Sequence, residues 1–163
     1  SDIFGTMVEF FANNAGDAPD YLIGEKIYRS NPNGTKALRF MFKPSLDGAS
    51  PDCYISTIGS KDVHYSSGVA NHFFYLLAEG AVVPAGFNLT PANLVCNGNT
   101  AAGNIGRDAA QKIWYRALTV YMTSSTNYAG ARAATLSAAA DLYGAGSAQA
   151  NGVASAWSAV GVN

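Results

Sequence analysis

Residues 62–80, DVHYSSGVANHFFYLLAEG, decide the fold class. From His64 onward Val69, Phe73, Leu76 and Leu77 recur at helical spacing, and Gly80 follows as a C-cap residue. Downstream, 81–105 reads as a long Gly/Pro/Asn-rich loop. Three further helices come next. One spans 107–122 with Ile113, Trp114, Ala117, Leu118 and Tyr121; an alanine-rich one runs over about 127–143 and stops at Gly144; the last covers about 147–159 with Val153 and Trp157. Upstream, residues 2–14 carry Ile3, Phe4, Met7, Val8, Phe10 and Phe11 on a broad apolar helical face, which NNAGDAPD ends. Between them, 20–60 alternates short apolar pieces with turns such as NPNGT and SLDG, as expected of loops with one or two short extended segments. The expectation is an all-α fold of about five helices, with a loop-rich segment after the first, in a single domain over 1–163.

At 163 residues the chain is long enough to bury a core. It is 48% apolar and only 13% charged, with a net charge of −1, so nothing favours nucleic acid or an anionic membrane as partner. No apolar run approaches the roughly 20 residues that span a bilayer. The start, SDIFGTMVEFF, lacks signal-peptide features and an initiator methionine and reads as mid-helix, so the chain is expected to be cut from something longer. Cys53 and Cys96 lack zinc-like spacing and sit in loop-like surroundings. In an exported protein they could close a loop of about 43 residues, worth roughly 3–4 kcal/mol; in a cytosolic one they stay free. Few lysines, many Gly, Ser, Asn and Tyr, and the loop setting favour export.

Three constellations could carry chemistry. Asp62 and His64, two apart in an extended approach, would point to one side, so that the carboxylate holds the imidazole as a general acid or oxyanion stabiliser; a helix-start histidine with a structural bond is the plainer account. Ser66 and Ser67 stand near but lack a nucleophile elbow, and read as first-turn helix residues. Asp2 and Glu9 share a face of the first helix, and Asp20 and Glu25 in the next loop could converge on Glu9; such hard oxygen ligands suit calcium, against scattered solvated carboxylates as the alternative. Arg39, in ALRFMF, is a basic fork among apolar neighbours, suited to a carbonyl, a carboxylate or an ion pair. His72, about 80° round the helix from His64, reads as an ordinary helix residue.

Taken together, SDIFGTMVEF, IGEKIY, ALRFM, DVHYSSGVANHFFYLL, GRDAAQKIWYRALTVYMTSSTNYAGARAATLSAAADLYG and AWSAVGV resemble the C-terminal helical domain of thermolysin-like neutral metallopeptidases, nearly end to end except over 81–105. The resemblance implies half of a secreted, extracellular zinc endopeptidase that hydrolyses peptide bonds. It makes His64 the proton donor and transition-state stabiliser, Asp62 its positioner, and Arg39 the arginine that grips the substrate carbonyl. Ile23, Ile27 and Leu38 become apolar walls of the pocket beyond the scissile bond, and Asp2 the carboxylate that orients a zinc histidine. Glu9, Asp20 and Glu25 become calcium ligands, with Leu22 contributing its carbonyl.

The zinc ligands themselves, an H-E-x-x-H helix and a later glutamate, are missing; only His64 and His72 exist, and counting back from Asp2 to the glutamate runs off the start. Lys36, with Arg29 nearby, replaces the carboxylate of a second calcium loop, so that site is expected to be lost. The expected partners are a peptide or protein substrate and the N-terminal catalytic half, which would bind zinc and complete the calcium shell. Alone, the chain is expected to be inactive. The alternative is a non-catalytic helical module recognising a propeptide or inhibitor protein.

Overall fold

Helix α3 (Gly68–Glu79) runs through the middle of the molecule because it is apolar nearly all round: Val69, Phe73, Phe74, Leu76 and Leu77 are fully buried. A computed structural model describes all 163 residues. Around α3 pack α1 (Asp2–Ala12), α4 (Arg107–Arg116) and α6 (Ala148–Ala159), and α5 (Tyr128–Tyr143) packs on α4 and α6. A short α2 (Val63–Ser66) leads into α3. Five substantial helices with a loop-rich segment after the first match the expected all-α class.

Alanines let α5 and α6 approach closely; Ala134, Ala138, Ala139, Ala156 and Ala159 all face the core. Trp157 fills the space left, stacked 3.7 Å from the Phe73 ring, with its indole N–H donating to Thr135 Oγ1 at 2.8 Å. The boundaries differ in instructive ways. Helix α1 ends at Ala12, because Asn13 turns left-handed (φ 44°) and donates its N–H to the Glu9 carbonyl. The helix expected to run on from His64 breaks at Ser67. There Gly68 lets the 44–51 segment press in, since a Cβ at 68 would stand 3.0 Å from both Pro44 and Ser50 side chains. After Arg116 the fourth helix widens into a π-helical turn over Ala117–Tyr121, closed by Met122 N–H on the Ala117 carbonyl.

The extended pieces are two residues each. β1 (Leu22–Ile23) pairs antiparallel with β2 (Arg39–Phe40), Leu22 opposite Phe40 and Ile23 opposite Arg39. The 81–105 loop is ordered by its backbone. Asn104, Ile105 and Gly106 donate to the last-turn carbonyls of α3, and Cys96 N–H donates to Ala159. Gly103 is required here: φ is +73°, and an added Cβ would lie 1.9 Å from the Leu76 carbonyl oxygen. Cys53 and Cys96 form a disulfide. Beside it His72, fully buried on α3, has Nδ1 2.8 Å from the Asp52 carbonyl, while Nε2 has no partner. Burial holds its pKa below the usual histidine value. No helix is long and apolar enough to cross a membrane.

Candidate functional site

Asp62 caps α2, and that cap builds the site. Its Oδ1 accepts the His64 backbone N–H at 2.9 Å and lies 2.6 Å from the ring Nδ1. The carboxylate therefore does hold the imidazole, but through an N-cap and not through strand alternation. Both side chains are solvent-facing, 74% exposed for His64 and 59% for Asp62. The two bonds from His64, backbone first, keep the Asp62 carboxyl below its usual range. With Nδ1 donating to Asp62, Nε2 is left facing outward. Ser67 Oγ donates to the His64 carbonyl, and no hydrogen bond joins the hydroxyl of Ser66 or Ser67 to the His64 ring.

His64 and Arg39 line one open cleft of about 560 Å³, with Leu38, Lys36, Asp47 and Tyr65 among its walls. Arg39 is brought there by β2, which pairs back onto β1. Its guanidinium forks onto Asp2, Nε to Oδ2 at 2.7 Å and Nη2 to Oδ1 at 2.9 Å, and Asn71 Nδ2 donates to the same Oδ2 at 2.7 Å. Burial works against the Asp2 charge, but the Arg39 and Asn71 bonds outweigh it and hold the carboxyl below its usual range. The Asp2 bond raises the Arg39 pKa in turn. This pairing, spanning 37 positions, links two candidates the sequence had left apart. Of the expected apolar walls, Leu38 lines the cleft. Ile23 and Ile27 lie outside its lining: Ile23 sits beside Asp2 and Glu25, and Ile27 is exposed.

A second cluster lies between α1 and the loop after it. Carboxylate oxygens of Glu9, Asp17 and Glu25 all fall within 4.8 Å of one another. Glu9 Oε1 and Asp17 Oδ1 are buried without a hydrogen-bond donor, although Lys26 Nζ stands 3.2 Å from the latter. Burial, then the charges of Glu25, Asp20 and Asp17, push the Glu9 carboxyl up to about 7. Burial also raises Asp20 and Glu25. Asp20 stands at the margin of the cluster, its Oδ1 accepting the Leu22 N–H at 2.7 Å, and Leu22 lines the same hollow. Asp17 was missed by sequence; its place three residues before Asp20 in the same turn-rich loop was the available signal. Crowded, donor-starved carboxylates fit a hard cation such as calcium. The residues of this chain do not assemble a zinc site: His72 is buried on a backbone carbonyl, His64 has no ligand beside it but Asp62, and no other histidine exists.

The model of the thermolysin metallopeptidase alpha-helical domain matches residues 1–162. The chain belongs to the thermolysin metallopeptidase family. Among relatives of this thermolysin-family domain, the transglutaminase-activating metalloprotease of Streptomyces mobaraensis is 51% identical over 162 residues, covering 99% of this chain and 21% of that protein. The thermostable neutral protease NprT of Geobacillus stearothermophilus is 43% identical and the thermolysin of Alicyclobacillus acidocaldarius subsp. acidocaldarius 44%, each covering 99% of this chain and 27% of the relative. The chain thus spans about a quarter or less of the length of the curated relatives it matches.

Proposed function

We propose that this thermolysin-family domain is the C-terminal half of a secreted zinc metalloendopeptidase and supplies the proton-handling and substrate-gripping wall of its cleft. The observation that carries the reading is one open cleft holding both a carboxylate-oriented imidazole and a carboxylate-oriented guanidinium. His64, its Nδ1 fixed by Asp62, presents Nε2 to the cleft to stabilise charge on the reacting carbonyl and deliver a proton to the departing amine. Arg39, aimed by Asp2, grips a substrate carbonyl beyond the scissile bond, and Leu38 favours a bulky apolar side chain there. Asp2 would also reach across to a zinc-binding histidine of the N-terminal half, where zinc belongs in this reading. Glu9, Asp17, Asp20 and Glu25, with the Leu22 carbonyl, would hold calcium.

Helix α1 supports a missing partner. Val8 and Phe11 are 64% and 92% exposed, and Phe4, on the same face, reaches Tyr115 of α4. An N-terminal half seated on this stripe would complete the cleft; a propeptide or inhibitor protein seated there without catalysis is the alternative. The test mixes the chain with a matching N-terminal half and zinc and follows peptide cleavage. Activity is expected only in the mixture, because such groups work as a unit. Cleavage by the chain alone that resists chelators, or a folded mixture that stays inactive, overturns the reading. Pulldown that captures a propeptide but no N-terminal half would favour the alternative.

A further inference from the structure

The cleft holds three basic side chains, and their commitments differ. Arg39 is ion-paired with Asp2, and the His64 ring is held by Asp62. Lys36, exposed on the rim, has no carboxylate within ion-pair distance; its Nζ makes one bond, to the Ser30 carbonyl at 3.2 Å. The backbone beneath it is fixed, since Asn31 accepts the Lys36 N–H at 3.0 Å and donates to the Lys36 carbonyl at 2.8 Å. The opposing charge in the cleft, Asp47, is turned to its own loop: Oδ1 accepts from Ala49 N and Ser50 N, and Oδ2 from Ser50 Oγ. The ammonium thus keeps two N–H donors free, two residues before Leu38 and three before Arg39.

We infer that Lys36 makes this cleft select a carboxylate, carried as an acidic side chain or as the free C-terminus of a peptide, next to the apolar residue seated at Leu38. The inference rests on the peptide-cleft reading above. An anchored cation with free donors, beside a guanidinium whose charge Asp2 already balances, is the place where an incoming anion gains most. Because the site is open to water, the preference is modest and salt-sensitive.

The test titrates three short peptides into the isotopically labelled chain and follows His64 and Tyr65 by NMR: Ac-Gly-Leu-Gln-NH2, Ac-Gly-Leu-Glu-NH2 and Ac-Gly-Leu-Gln-OH. At low salt one or both carboxylate-bearing peptides should bind roughly three- to fivefold tighter than the neutral one, the scale of an exposed ion pair. Lys36→Met should erase the difference and Lys36→Arg keep it; the tighter arm identifies the source of the carboxylate. Unchanged amide signals at Ser30 and Asn31 in Lys36→Met establish that the loop still holds. Equal affinity for all three peptides in the unaltered chain overturns the inference and leaves the peptide-cleft reading standing. Absence of any response at His64 and Tyr65 overturns both.

Discussion

Replacing Glu9 by glutamine removes one charge from the crowded carboxylate cluster, and the consequence reverses with calcium. The Glu9 carboxyl rises from 4.5 to about 7 on folding. A carboxyl raised in this way contributes stability that is present below its unfolded value and lost as pH climbs through about 7. The rise has a ceiling of about 3 kcal/mol, which solvent screening at this partly exposed group reduces to about 1 kcal/mol. Without metal at pH 8, Glu9→Gln should therefore melt roughly 2–4 °C higher than the unaltered chain, and near pH 4.5 the gap should close. Calcium held at the proposed site should invert the order. At a hundredfold excess over its Kd the ion adds about 2.7 kcal/mol to the unaltered chain, or roughly 5–10 °C, and much less to the variant. The assay is a set of calorimetric melts at pH 4.5 and 8, with chelator or with calcium. Differences between the two proteins matter and not absolute trends, because Asp2, Asp52 and His72, all held below their usual values, make the whole domain lose stability in acid. Parallel melting curves for variant and unaltered chain at both pH values, or a calcium shift of equal size in both, would refute the reasoning.

Other substitutions probe separate parts of the molecule. Trp157→Ala empties the centre of the α3–α5–α6 packing and strands Thr135, and should cost about 3–5 kcal/mol in urea denaturation. Gly103→Ala collides with the Leu76 carbonyl and should cost at least about 2 kcal/mol, read the same way. His72→Gln keeps a donor for the Asp52 carbonyl and cannot titrate. Since the His72 pKa is depressed, the unaltered chain should lose stability relative to this variant as pH falls below about 6.5, by about 1 kcal/mol per pH step at most; matched denaturation midpoints at pH 5 and 7 would count against it. His64→Ala, on an exposed side chain, should leave the melting temperature nearly unchanged and lower kcat of the reconstituted enzyme by about a hundredfold or more.

Helices were legible where the pattern was local. Spacing of Ile113, Trp114 and Ala117, and Gly144 past the end of α5, placed two helices within a few residues. The break at Ser67 was hidden because Ser66, Ser67 and Gly68 hold helical geometry either way; contact from Pro44 and Ser50, far back in the chain, decides it. His64 and Arg39 were found as single residues, and their shared cleft depends on a two-residue strand pair too short to leave a pattern. The Asp2–Arg39 fork is a contact of fold and not of spacing. Asp17 escaped notice because a carboxylate in a polar loop looks solvated until its neighbours in space are known.

The two indoles stand in different surroundings. Trp157 is sealed against Phe73, whereas Trp114 borders a groove shared with Val63 and Ser66 beside His64. Fluorescence from the first should fade only when the fold opens, while the second should change colour as something settles in that groove. With the buried indole silent during binding, the domain carries its own optical gauge of occupancy, free of any attached dye.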